Sequence, residues 1–121
     1  MQLSLLLSAA FLLAGCGQSL EARLVGRWRK PETPIEITFR SDHTFTLKNV
    51  QTWTGSWHIQ GPQLVTVIES EHGEFTDTYD IHVAGDDLVF GRRTSVQKRD
   101  GRYMGEPRTT DSDPSIFKRV R

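Results

Sequence analysis

Ile35-Glu36-Ile37-Thr38-Phe39-Arg40-Ser41-Asp42-His43-Thr44-Phe45-Thr46-Leu47 is the stretch whose reading decides the fold. Ile35, Ile37 and Phe39 alternate with Glu36, Thr38 and Arg40, the period-two mark of a strand buried on one face. Ser41-Asp42-His43 is a turn, and Phe45 and Leu47 continue the alternation beyond it. Two alternating runs around a short polar turn predict a β-hairpin.

The same pattern spreads outward. Leu24 to Lys30 reads as a strand ahead of the hairpin, and Pro31 and Pro34 end it, because proline lacks a ladder donor. Trp53, Gly55, Trp57 and Ile59 share one face, with Ser56, His58 and Gln60 on the other. Gly61-Pro62 turns the chain into the dense run Leu64 to Glu69, whose composition predicts a central strand or burial on both faces. Phe75, Tyr79, Ile81 and Val83 share the next inner face, with Asp77 the exception among them. Gly85-Asp86-Asp87 turns, and Leu88 to Gly91 pairs back. From Arg92 the alternation weakens. Thr94 to Lys98 fits a strand, Arg99 to Pro114 reads as a long polar loop, and Ser115 to Arg121 as a last strand. Eight or nine short strands predict an all-β fold, an antiparallel up-and-down β-barrel or flattened sandwich of about eight strands.

Before the first strand the character changes. Leu3 to Leu13 is an apolar run broken only by Ser4 and Ser8. It suits a secretory h-region and is shorter than the roughly 20 residues of a membrane span. Small residues Ala14 and Gly15 follow, then Cys16, the one cysteine of the chain. A lone cysteine in an exported chain has no internal disulfide partner. Leu13-Ala14-Gly15-Cys16 resembles the lipobox of bacterial lipoproteins. The resemblance implies a signal peptide at 1–15, cleavage before Cys16 and acylation of Cys16. With Gly17 rather than aspartate after the cysteine, it implies a lipid anchor in the cell outer membrane, facing the periplasm. Met1-Gln2 departs from the pattern in lacking Lys or Arg, so that either the α-amino group alone supplies the positive charge or the true start lies upstream. Residues 16–23 are then a lipidated tether, flexible or one helical turn, and 24–121 the barrel domain.

Cleavage leaves 121 − 15 = 106 residues, one domain without disulfide support. All 15 basic and 15 acidic residues lie in that part, so its formal charge is zero. This balance gives no support to nucleic-acid binding, and membrane attachment falls to the lipid.

Leu24-Val25-Gly26-Arg27-Trp28 resembles the first strand of lipocalin-like small barrels, with its Gly-x-Trp. Ile37 to Phe45 resembles their second and third strands, where many relatives have glycine at the turn position held here by His43. Gly55-Ser56-Trp57-His58-Ile59, with Gly61 and Leu64, resembles the next hairpin. The resemblance implies a barrel able to hold a small apolar ligand, and an arginine of the last strand, Arg119 or Arg121, packed over Trp28. At this length the barrel is short for a roomy lipocalin cup, and side chains are expected to fill it.

Trp28, Phe39, Phe45, Trp57, Tyr79 and Phe90 are therefore candidates for a ligand pocket or the barrel core, and Trp28, Trp53 and Trp57 for lining a pocket, with core filling favoured for all three tryptophans. His43, His58, His72 and His82 show no ligand spacing, so no metal or cofactor is expected. Ser56 and His58 stand two apart on a strand, roughly 7 Å, beyond hydrogen-bond reach. Asp86-Asp87 and Asp111-x-Asp113 fit turns better than paired catalytic carboxylates. No catalytic set emerges, and the chain is read as a non-enzyme. Acidic 69–87 and the basic run Arg92, Arg93, Lys98, Arg99, Arg102 and Arg108 offer a surface for a partner, an anionic glycan or a lipid headgroup, but are expected instead to pair across neighbouring strands. Arg99, Arg102, Tyr103 and Met104 form a candidate partner loop, because an exposed aromatic on a loop is a usual contact element. The expected role is a non-catalytic binding or accessory lipoprotein for a small apolar ligand or an envelope protein. The alternative is a loop-mediated inhibitor or envelope-assembly module.

Overall fold

The computed structural model describes residues 18–111 and 114–121. The apolar leader and Cys16 lie outside the described residues. A short helix, α1 (Leu20–Leu24), precedes ten strands: β1 (Gly26–Arg29), β2 (Glu36–Phe39), β3 (Thr44–Lys48), β4 (Thr52–Gln60), β5 (Gln63–Ser70), β6 (Gly73–Ala84), β7 (Asp87–Arg99), β8 (Arg102–Tyr103), β9 (Arg108–Thr110) and β10 (Ser115–Arg119). Successive strands β1 to β7 pair antiparallel, and β10 pairs with both β7 and β1. The result is a closed eight-stranded antiparallel barrel. Closure removes the free edges an open sheet would expose.

The hairpin that opened the sequence reading is β2–β3, with Phe39 opposite Phe45 and Ile37 opposite Leu47. His43 stands at its turn with φ +69°, the left-handed conformation that makes glycine the easy residue there. The first strand starts later than expected. Leu24 belongs to α1, and only Gly26 to Arg29 pair. Ser19 caps α1, its hydroxyl accepting from the Ala22 N–H. The helix closes one end of the barrel. Arg23 donates to the Val83 carbonyl, and Glu21 meets His43 Nε2 at 2.6 Å.

Inside that end the core is filled. Leu24, Trp28, Phe39, Phe45, Trp57, Leu64, Val83, Leu88, Phe90 and Phe117 are buried together. Edge-to-face contacts join Phe39 to Trp57 at 5.5 Å, and Tyr79 to Phe90 and Phe90 to Phe117 at 5.2 Å. Both buried indoles find acceptors. Trp28 Nε1 donates to the Leu24 carbonyl at 2.9 Å, and Trp57 Nε1 to the Arg40 and Thr44 carbonyls at 3.1 Å. On β5, Leu64, Val65 and Thr66 are all buried, so burial on both faces holds over those three residues.

Arg119 is the arginine that covers Trp28, its guanidinium 4.3 Å from the ring. It also donates to the Arg23 carbonyl at 2.8 Å and the Val25 carbonyl at 3.3 Å. A Cβ at Gly26, whose φ is +140°, would stand 2.9 Å from the Arg119 Nη1. The glycine of Gly26-Arg27-Trp28 thus clears the path for the arginine. Arg121 instead pairs with Asp86 at 2.6 Å, and Lys118 with Asp87 at 2.5 Å, so this aspartate pair closes the barrel seam.

The segment read as a long loop, Arg99 to Pro114, contains two strands. β8 and β9 pair with the far half of β7, and β10 pairs with its near half. Together they form one interrupted strand. Tyr103 opposes Lys98, Arg108 opposes Ser95, and Ser115 opposes Phe90, so each interruption carries two more residues than β7 does. The sequence hid this strand because Gly105, Pro107 and the polar run 109–112 break its alternation.

Candidate functional site

The end opposite α1 is not filled. A cavity of about 470 Å³ opens there, within the size range of small-molecule sites. One wall is apolar: Leu47 of β3, Trp53 of β4, Ile68 of β5 and Phe75 of β6. The adjoining wall is polar, with Asp77 of β6 beside Arg93, Ser95 and Gln97 of β7. Met104, Glu106 and Arg108 border it from the interrupted strand.

Two backbone features make this cup. The first is a bulge between β6 and β7. Ile81 opposes Phe90 but Tyr79 opposes Arg93, which puts one extra residue on β7 between the two pairs. Before the bulge the inward residues of β7 are Leu88 and Phe90. After it they are Arg93, Ser95 and Gln97, because a one-residue slip exchanges the two faces. Asp77 is explained by the same slip. Ser95 Oγ donates to its carboxylate at 2.5 Å and accepts from Arg93 Nε at 3.0 Å. Acidic and basic segments are cross-strand neighbours as expected, with Glu74 opposite Lys98.

The second feature is a parting of β4 from β5. They pair only from Ser56–Gln60 to Gln63–Val67, so Thr52–Gly55 and Ile68–Ser70 lack each other as partners. At Gly55 the strands approach so closely that a Cβ would stand 2.2 Å from the Val67 carbonyl oxygen. Glycine is required for that approach, and beyond it the mouth widens. A second hollow of about 630 Å³ follows this seam, lined by Arg40, Phe45, Gly55, Val67 and Glu69 among others.

Tyr79 lies just below the polar wall. Burial, reinforced by the Asp77 carboxylate, pushes its hydroxyl up to about 12, against an ordinary value of about 10. The folded state holds this proton more tightly than the unfolded chain. The contribution is whole below about pH 10 and is lost as pH rises to about 12. The stability of wild type should therefore fall relative to Tyr79→Phe across that window, measured by urea unfolding at successive pH values. Parallel curves would remove Tyr79 as the cause.

The sequence candidates divide between the two ends. Trp28, Phe39, Phe45, Trp57 and Phe90 are buried and Tyr79 packs partly buried against them. They form the core, and none of the six lines the mouth cavity. Arg99, Arg102, Tyr103 and Met104 are exposed at the mouth end, on or beside β8. Tyr103 is 65 % exposed with Lys98 Nζ 4.7 Å above its ring, and Met104 lines the cavity. Trp53, read as inward, is 41 % exposed because it reaches the open mouth rather than the core. Arg93 and Arg108 stand in the basic segment 92–108, but the sequence does not mark them as lining a cavity. The bulge reverses the parity that would have marked Arg93, and Arg108 sat within the supposed loop. Among the described residues no three His, Cys, Asp or Glu gather as metal ligands.

No family model matches the chain, and no curated protein matches it. Among solved structures it is similar to the crystal structure of Treponema pallidum Tp0751 (Pallilysin). The two are 12 % identical, with a TM-score of 0.54 over 93 % of each chain. At that identity the likeness concerns the fold alone.

Proposed function

We propose that this chain is a lipid-anchored envelope protein whose barrel is a non-catalytic binding module, with the mouth as its site for a small apolar molecule. The cavity of about 470 Å³ above a filled core carries the reading. An apolar wall beside a few directed polar groups is the usual make-up of a small-molecule site.

The anchor reading supplies an orientation. α1 sits at the filled end, and Cys16 precedes its cap Ser19 by three residues, a span of at most about 11 Å when extended. Acyl chains at Cys16 hold the filled end against the bilayer and turn the mouth toward the aqueous side, in the outer membrane toward the periplasm. Cys16→Ser should move the protein from the membrane to the soluble fraction of cell envelopes. Continued membrane attachment would reject the anchor.

The binding reading is tested with a neutral naphthylamine dye. Saturable one-to-one binding is expected, weakened about tenfold by Trp53→Ala through the loss of about 1.5 kcal/mol of apolar contact. Dye uptake without saturation would reject the mouth as a site. A second reading, contact with an envelope protein as inhibitor or assembly module, draws on Tyr103 and Met104, both large, apolar in part and exposed at the mouth.

A further inference from the structure

We infer that the mouth takes a single-chain anionic amphiphile, its carboxylate or phosphate head between Arg93 and Arg108 and its tail against Ile68 and Phe75. The inference rests on the reading of the mouth as a binding site and names the class of ligand.

Register places the two arginines. Asp77, Ser95 and Arg108 lie in one lateral row across β6, β7 and β9, and Tyr79, Arg93 and Thr110 lie in the next. Arg93 and Arg108 are therefore diagonal cross-strand neighbours on the cavity side, with backbone positions about 7–8 Å apart. Two like charges so placed in a concave site repel. Among the described residues, neither arginine forms an ion pair with an acid. Arg93 spends its Nε on Ser95 Oγ and also bears on the Tyr79 hydroxyl, while among the described residues no side chain is hydrogen-bonded to the Arg108 guanidinium.

The acids of the cup do not take that role. Asp77 accepts the Ser95 hydroxyl at 2.5 Å. Glu106 follows Met104 on the segment between β8 and β9, two residues before Arg108. The four charged groups of the lining sum to zero, so selection comes from directed donors rather than from a net field. Forked guanidinium donors match carboxylate and phosphate oxygens in geometry. A neutral head leaves the paired arginines facing each other, and a cationic head adds a third like charge.

The tail has a place of matching size. At about 30 Å³ for each water-sized group, a cavity of about 470 Å³ holds about fifteen. A chain of roughly ten carbons with its head fits that space.

The test uses the full-length Cys16→Ser chain, which carries no acyl group. Decanoate, decyl phosphate, decanol and decyltrimethylammonium are titrated calorimetrically at pH 8. At least one anion should bind tenfold or more tighter than decanol, the cation should bind weakest, and the tighter anion identifies the head. Arg108→Gln, on an exposed three-residue strand, should weaken that anion at least threefold. Arg93→Gln with Arg108→Gln should bring the preference below twofold while decanol affinity stays unchanged. Decanol binding as tightly as both anions, or a preference that survives the double substitution, would overturn the inference and leave the mouth as a site. Binding of none of the four would overturn both.

Discussion

Replacing Trp28 with alanine is expected to remove about 3–5 kcal/mol of folding stability, the range for deleting a fully buried aromatic. Trp28 is wholly inaccessible, packs beneath Arg119 and donates its indole N–H to the Leu24 carbonyl. The substitution therefore opens a cavity, orphans a buried carbonyl and uncovers a charged group together. A domain of this size has about 5–15 kcal/mol in all, so the substitution removes at least about a fifth of it. The thermal midpoint should fall by at least about 12 °C. Trp53→Ala is the control, since Trp53 is 41 % exposed at the mouth. It should cost about 1 kcal/mol or less. Equal losses at the two tryptophans would mean that the mouth is as tightly packed as the filled end, contrary to the cavity seen there.

Arg119→Met is expected to cost about 2–4 kcal/mol, from a desolvated cation–π contact and two charge-assisted hydrogen bonds. The guanidinium joins β10 to one stretch of chain more than 90 residues earlier, stacking on the Trp28 ring of β1 and holding the carbonyls of Arg23 and Val25 at the end of α1. Its Nε also stands 3.6 Å from Asp86 in the β6–β7 turn. Arg119→Lys should recover less than half of the loss, because one ammonium cannot stack on the indole and reach both carbonyls as a planar fork does. Hydrogen exchange adds a local readout. Amides of α1 should exchange faster in Arg119→Met, while those of β5 and β6 keep their protection. Full recovery by lysine would reduce the arginine to a point charge.

These two residues were legible to different degrees. Trp28 stood out because alternation and Gly-x-Trp mark it directly. Arg119 and Arg121 could not be told apart, since their distinction is one of register. The Trp28–Arg119 pairing of β1 with β10 decides it. The mouth was less legible still. Leu47 and Trp53 follow the inward alternation, but that they line an opening depends on β4 joining β5 only from Ser56 onward. Arg93 was unreadable as an inward residue, because its parity depends on a bulge that no local signal around Gly91 and Arg92 announced.

By itself the sequence determined the all-β class, the central hairpin and the inward set Trp28, Phe39, Phe45, Trp57, Tyr79 and Phe90. It did so because a strand's period of two is a local property, written wherever one face is buried and the other wet. The tertiary structure alone decided that these residues fill one end, that the eighth strand is assembled from β8, β9 and β10, and that Arg93 and Arg108 share a cavity. Those outcomes depend on how distant strands slip past one another. A shift of a single residue exchanges core for solvent without changing the composition of either strand.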